Sequence, residues 1–288
     1  MRLRALLDPG VTVLGAAWED VAITGLSADS RAIAPGMLFA ALPGARADGR
    51  RFIDDALARG AAAVLADPSL GGRPLPVPLI LDPDPRRRLA LMAARFHGSQ
   101  PRTVVAVTGT NGKTSVASFT RQLWQRQGLR AASLGTLGLE GDDLAGESGL
   151  TTPDPVRLQA LLAELAGRGV DHLALEASSH GLDQRRLDGV RFTAAAFTNL
   201  SRDHLDYHAS PAAYFAAKRR LFAELLPEGG SAVLNADAPE YHDLAALCRD
   251  RGIDVLDFGR AGLRLRLLAQ TPHADGQTLT LGIDGEAH

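Results

Sequence analysis

Apolar and polar positions along the chain alternate in two ways. Up to about residue 100, short apolar runs are separated by stretches whose apolar residues recur every three or four positions. Residues 37–42, 61–66 and 77–81 read as strands. Residues 51–59 read as a helix closed by Gly60, because glycine takes the left-handed conformation of a helix end without steric cost. Residues 67–78, rich in Pro and Gly, read as a loop, and 86–97 as a second helix ending near Gly98. Gly98-Ser99-Gln100-Pro101 carries no periodicity and marks a boundary, dividing the chain into domains at 1–98 and 99–288.

Beyond the boundary the pattern becomes regular. Residues 103–107 are a β-branched run, followed by a glycine-containing loop and a helical stretch at 114–127. Strands are predicted at 170–175, 192–197, 231–234 and 253–256, and helices at 154–167, 212–225 and 238–250. Strands that alternate with helices imply βαβ units and a parallel sheet covered on both faces, so the fold class is α/β. The last stretch alternates with period two at 263–268 and 277–283 around Ala274-Asp275-Gly276, which predicts a β-hairpin extension.

Composition narrows the function classes. The 288 residues are enough for about two domains. Lys plus Arg total 31 and Asp plus Glu 33, a formal net charge of −2. That balance argues against a broad nucleic-acid surface while leaving room for a local basic pocket. The lone Cys248 has no partner for a disulfide or a thiolate zinc site. No run approaches the roughly 18 apolar residues of a membrane helix. Asp8, Pro9 and Gly10 interrupt the start before a signal-peptide core forms. A cytoplasmic protein with neither nucleic-acid nor membrane partners is expected.

Three polar clusters follow apolar strands. Thr108-Gly109-Thr110-Asn111-Gly112-Lys113-Thr114 lies between a strand and a helix. Its glycines let backbone N–H groups turn toward phosphate oxygens, at a helix N-terminus that favours anions. Lys113 can reach outer phosphates and the Thr114 hydroxyl can ligate Mg²⁺. The match to G-x-x-x-x-G-K-[ST] is imperfect, since Val107 holds the first glycine position. Glu176-Ala177-Ser178-Ser179-His180-Gly181 ends a second strand, and residues 198–208, which include Asn199, His204, Asp206 and His208, follow a third. In a parallel sheet these carboxyl ends share one edge, where ligands bind. Glu176 suits hard Mg²⁺, which prefers oxygen ligands; His204 is a less usual magnesium ligand. Residues alone also allow plainer roles: caps and loop hydrogen bonds for His180, Asp206 and His208, helix capping for Thr151-Thr152-Pro153-Asp154, and a simple loop at Asp29-Ser30-Arg31.

Together these segments resemble the Mur ligase family. Matching words also include Leu38-Phe39-Ala40, Ala216-Ala217-Lys218 and Asn235-Ala236-Asp237, in family order over most of the chain. Within that family the resemblance is greatest to members that add a diamino acid, meso-diaminopimelate above lysine, to UDP-MurNAc-L-Ala-D-Glu through an acyl phosphate. It implies a first domain that binds the UDP moiety through Ala28, Ser30, Gly44, Ala45, Arg46 and Ala47. A P-loop-type central domain would bind ATP through Gly109, Thr110, Asn111, Gly112, Lys113, Thr114 and Asn199. Thr151, Thr152, Ser178, Gln184 and Arg186 would hold the muramoyl dipeptide. Thr114, Glu176, His204 and Lys218 would serve two Mg²⁺ ions, with Lys113, Lys218 and His204 catalytic. Lys218 matches a lysine that the family carries as a carbamate; by its residues alone it reads as a helical cation. A C-terminal domain that receives the amino acid is absent from these 288 residues, so the fragment is expected to be inactive alone, and monomeric. Three other readings remain: a folylpolyglutamate synthetase-like ligase, a non-catalytic UDP-muramoyl-peptide-binding module, and a nucleotide-dependent switch.

Overall fold

The computed structural model describes residues 1–15, 17–44, 48–141, 144–146, 149–203 and 206–288. Two compact units emerge. The first comprises Met1–Ser99, Asp154–Glu164 and Gln184–Gly189; the second comprises Gln100–Pro153, Leu165–Asp183 and Val190–His288.

The first unit is built on a five-stranded sheet of β1 (Thr12–Leu14), β2 (Gly25–Ser27), β3 (Met37–Ala40), β4 (Ala63–Ala66) and β5 (Leu79–Leu81), in the order β1-β5-β4-β3-β2. All neighbouring pairs are parallel except β1 with β5. Alternation along each strand feeds two cores. Leu38, Ala40, Ala63, Leu65 and Ile80 face one side with Leu89, Met92 and Ala93 of the helix α2 (Pro85–His97). Phe39, Val64, Ala66 and Leu79 face the other with Ile53 and Ala56 of α1 (Ile53–Ala58). Burial on both faces explains why the strands read as continuous apolar runs rather than as alternation. Asp84 caps α2 by accepting from Arg87 N (3.1 Å), and Gly98, at φ +75°, ends it. Phe39 is fully buried, so Phe39→Ala should cost about 3–5 kcal/mol in urea denaturation followed by first-unit probes.

The second unit holds β6 (Thr103–Thr108), β7 (Ala131–Gly135), β8 (Gly138–Gly141), β9 (Leu144–Gly146), β10 (His172–Glu176), β11 (Ala194–Phe197), β12 (Ser231–Asn235), β13 (Asp254–Gly259), β14 (Leu265–His273), β15 (Gly276–Ile283) and β16 (Glu286–Ala287). Its eleven-stranded sheet runs β16-β15-β14-β13-β12-β11-β6-β10-β7-β8-β9, and β13-β12-β11-β6-β10-β7 are mutually parallel. The helices are α3 (Lys113–Arg126), α4 (Pro155–Gly167, which belongs to the first unit as far as Glu164), α5 (Ser179–Asp183), α6 (Pro211–Arg220) and α7 (Tyr241–Asp250). From β6 the chain skips a place to β7, fills the gap with β10, and then crosses to β11 on the other side. The order reverses at β6, which opens a crevice at the carboxyl ends of β10, β6 and β11.

The α/β class holds, with several local corrections. The strand β7 was not anticipated: Ala-Ala-Ser-Leu-Gly has no β-branched residue, and full burial substitutes for propensity. The strands β1, β2, β8 and β9 were likewise not anticipated. The helical stretch at 212–225 is two pieces, α6 and a π-helical turn at Leu221–Leu225. The hairpin is longer than expected and carries a register shift between Leu267 and Ala269. Among the described residues no helix is long and apolar enough to cross a membrane.

Candidate active site

The segment after β6 is fixed by its neighbours on both sides. The fully buried Thr108 donates its hydroxyl to the carbonyl of Ala177, beyond β10 (2.8 Å). On the other side, Thr110 N donates to Asn199 O (2.8 Å) and Asn111 N to Asn199 Oδ1 (3.0 Å), both beyond β11. Thr198 Oγ1 donates to Asn111 O (2.6 Å). Gly109 sits at φ +146°, and a Cβ there would collide with Thr198 Oγ1; Gly112, at φ +85°, leads into α3. Glycine is required at Gly109 on both counts.

Two lysines meet at one carbonyl. Lys113 Nζ donates to Gly109 O (3.0 Å) and Thr110 O (2.8 Å), and Lys218 Nζ, from α6, donates to the same Gly109 O (2.7 Å). Burial lowers the pKa of Lys113, against the raising influence of Glu176 and Asp203. Lys218 is 1% exposed. Burial first, and the charge of Lys113 second, bring its pKa down to about 7, with Asp203 opposing. Its folded pKa thus lies below the ordinary lysine value. Between about pH 7 and the ordinary value the unfolded chain binds more protons, so stability rises with pH there, and the burial penalty is fully felt below about pH 7. In CO₂-free buffer, Lys218→Met should flatten the rise of the urea midpoint between pH 7 and pH 10; an unchanged slope would clear Lys218 of that role.

Glu176, at the end of β10, is 2% exposed. Its carboxylate accepts from Thr136 N (2.9 Å) and Thr136 Oγ1 (3.2 Å). It shares a narrow cleft with Thr114, Ser133, Gly135 and Glu140. Among the described residues it forms no direct ion pair, and Lys113 offsets its charge only from beyond contact distance. Hydroxyl and carboxylate oxygens suit a hard cation, so the cleft fits Mg²⁺. No group of three His, Cys, Asp or Glu converges among the described residues, which leaves hydroxyl and phosphate oxygens to complete such a sphere. As an amine, Lys218 donates a hydrogen bond and is no ligand.

Thr152 and Ser178 meet at the backbone of Glu176. Thr152 Oγ1 lies 2.9 Å from Ser178 Oγ and 2.9 Å from Glu176 O, and it accepts from Ser178 N (3.1 Å). Thr151 Oγ1 is 3.2 Å from Thr136 Oγ1. Thr152→Val should cost about 1–3 kcal/mol by urea denaturation, because it strands buried polar groups. The capping reading holds for Asp154, whose Oδ1 accepts from Val156 N and Arg157 N (both 3.1 Å). In the first unit, Arg186 donates to Gln184 Oε1 through Nε (3.2 Å) and Nη2 (2.7 Å). Buried Ser30 opens a short 3-10 turn capped by Asp29, Ala28 precedes that cap, and Gly44 is exposed. The expected roles of Ala45, Arg46, Ala47 and His204 fall outside the described residues.

Sequence reasoning missed three supporting residues. Thr136 holds Glu176, and Gly135 leaves room for it, since a Cβ there would collide with Glu176 Oε1. Neither stands in a recognisable pattern. Tyr214 lies with its ring 4.5 Å from Lys218 Nζ and its hydroxyl 3.2 Å from Thr110 Oγ1. Its i, i+4 spacing from Lys218 on one helix was the available signal. His208 is buried in a ring cluster with His180, Tyr207 and Tyr214, more than a loop hydrogen bond.

Residues 107–287 match the Mur ligase middle domain, and residues 22–97 match the Mur ligase family catalytic domain. This chain belongs to the Mur ligase family. A UDP-N-acetylmuramoyl-L-alanyl-D-glutamate–2,6-diaminopimelate ligase from Caulobacter vibrioides is 52% identical over 275 residues, covering 93% of this chain and 56% of that protein. A solved structure of a UDP-N-acetylmuramoyl-L-alanyl-D-glutamate–2,6-diaminopimelate ligase superposes with a TM-score of 0.86 at 30% identity, over 100% of this chain and 58% of that one. The chain thus spans a little over half the length of these Mur ligase relatives. The Mycobacterium tuberculosis folylpolyglutamate synthase complexed with ADP matches 70% of this chain and 51% of its own, with a TM-score of 0.55 at 18% identity. That likeness is one of fold alone.

Proposed function

We propose that this chain is the substrate- and nucleotide-binding part of a cytoplasmic ATP-dependent ligase of peptidoglycan precursor synthesis, adding meso-diaminopimelate to UDP-MurNAc-L-Ala-D-Glu. The observation that carries the reading is the convergence of Lys113, Thr114, Glu176 and Lys218 at the edge of one sheet. In the reaction, the D-Glu side-chain carboxylate attacks the γ-phosphate of ATP, giving an acyl phosphate and ADP. The amine of the diamino acid then attacks the acyl carbon and expels phosphate. The first step brings two anions together, so positioning and positive charge are what the protein must supply. The loop N–H groups and Lys113 take the phosphates, with Asn199 holding the loop in shape. Thr114, Glu176 and His204, with a carbamate on Lys218, would hold two Mg²⁺, which neutralise charge on the transferring phosphoryl group when bound. The carbamate forms when the neutral amine of Lys218 adds CO₂ and releases a proton; its depressed pKa supplies that neutral form.

The dipeptide is assigned to Thr151, Thr152, Ser178, Gln184 and Arg186. The uridine nucleotide is assigned to Ala28, Ser30 and residues 44–47 in a first domain at 1–98, with ATP in the domain at 99–288. The protein is taken as a monomer with no nucleic-acid or membrane partner. Calorimetry with UDP-MurNAc-dipeptide, then with an ATP analogue and Mg²⁺, tests this. Both should bind; binding of the UDP-sugar alone would favour a non-catalytic module. Intact mass under native conditions should exceed that after acid by one CO₂, and Lys218→Met should lose the difference.

A further inference from the structure

The Asn235-Ala236-Asp237 segment has no part in the function proposed so far, yet its side chains form a continuous hydrogen-bonded ladder along the carboxyl edge of the sheet. After β13, Arg260 N and Ala261 N donate to the carboxylate of Asp237 (2.9 and 2.8 Å). Gly259, at φ +130°, admits that carboxylate, because a Cβ would stand 2.7 Å from Asp237 Oδ2. Asp237 N in turn donates to Asn235 Oδ1 (3.0 Å), at the end of β12. Asn235 Nδ2 donates to Thr198 O beyond β11 (2.7 Å), and Thr198 Oγ1 donates to Asn111 O in the loop after β6 (2.6 Å). The rungs follow the strand order β13-β12-β11-β6 without a gap.

We propose that Asn235 is a positioning residue of the phosphate loop: through Thr198 it fixes the peptide planes of Thr110 and Asn111, although it touches no phosphate itself. Physically, the amide is suited to this place because it offers a donor and an acceptor at once. Its Oδ1 is held by the Asp237 turn, so its Nδ2 is aimed at the Thr198 carbonyl. Thr198 and Asn199 then hold three loop groups, Asn111 O, Thr110 N and Asn111 N. A loop whose N–H directions are fixed beforehand binds an anion without first losing conformational freedom.

The affinity readout rests on the nucleotide role proposed for the loop; amide exchange does not, so the two can fail separately. Asn235→Asp keeps the acceptor for Asp237 N but replaces the donor with an oxygen facing the Thr198 carbonyl. In the 288-residue chain it should speed exchange at the Thr110 and Asn111 amides at least tenfold. It should also weaken MgADP binding at least tenfold by calorimetry, while amides within β12 and β13 exchange as in the parent. Asn235→Ala, which removes the donor without adding repulsion, should show the same changes and serves if the aspartate variant does not fold. Thr198→Val should weaken MgADP similarly, and the double variant Asn235→Asp/Thr198→Val should lose little more than the stronger single one, as expected of one network. Exchange and affinity within twofold of the parent, or additive losses in the double variant, would overturn the proposal. If the parent itself does not bind MgADP, the nucleotide role falls, and loop exchange alone decides the role of Asn235.

Discussion

Lys113→Ala, made in a form of the protein that spans the full length of its relatives, should, on the proposed function, reduce ATP turnover by about a thousandfold or more. The expected size follows from what the loop offers. Lys113 is the loop's own cation, and it lies against the carbonyls of Gly109 and Thr110. The other cation at Gly109 O, Lys218, has a pKa of about 7 and is the proposed carbamate carrier, so it does not supply a permanent positive charge. Removing Lys113 therefore leaves the approach of carboxylate to phosphate without its fixed counter-charge. UDP-MurNAc-dipeptide binding, measured by calorimetry, should change little. Turnover close to the parent's would remove the phosphate-loop assignment.

The second large effect is expected at a residue with no functional group. Gly135→Ala should abolish the Mg²⁺-dependent part of ATP-analogue binding, weakening affinity at least tenfold with the metal and little without it. The added methyl would occupy the place of Glu176 Oε1, which must swing away from Thr136 N. Glu176 is 2% exposed, so its carboxylate has little open solvent to turn into. The displaced acid would no longer share the Thr114 cleft. Calorimetry with and without Mg²⁺ separates this outcome from a general loss of fold. A variant with parental metal dependence would show that Glu176 does not define the metal cleft.

The site was legible in the sequence as far as its groups follow apolar strands. Lys113, Thr114 and Glu176 stand directly at such ends, and the rule that parallel strands present their carboxyl ends together was enough to unite them. What supports them was not legible. Gly135 ends, and Thr136 follows, a strand of mostly small residues that burial alone makes extended. Lys218 on its helix looks like a solvated cation, and only tertiary packing turns it inward to Gly109. The same holds for Asn235, whose partner is 37 residues away and whose sequence resembles an ordinary turn.

The reversal of strand order at β6 has a consequence for synthesis of the chain on the ribosome. The loop after β6 is complete by residue 114, but its partners arrive much later: Ala177, then Asn199, then Lys218 and Asn235. A nascent chain halted between β7 and β10 would carry the entire loop motif and no walls to hold it. Ability to retain nucleotide should therefore appear abruptly, only as the chain passes residue 235, and can serve as a clock for completion of the sheet.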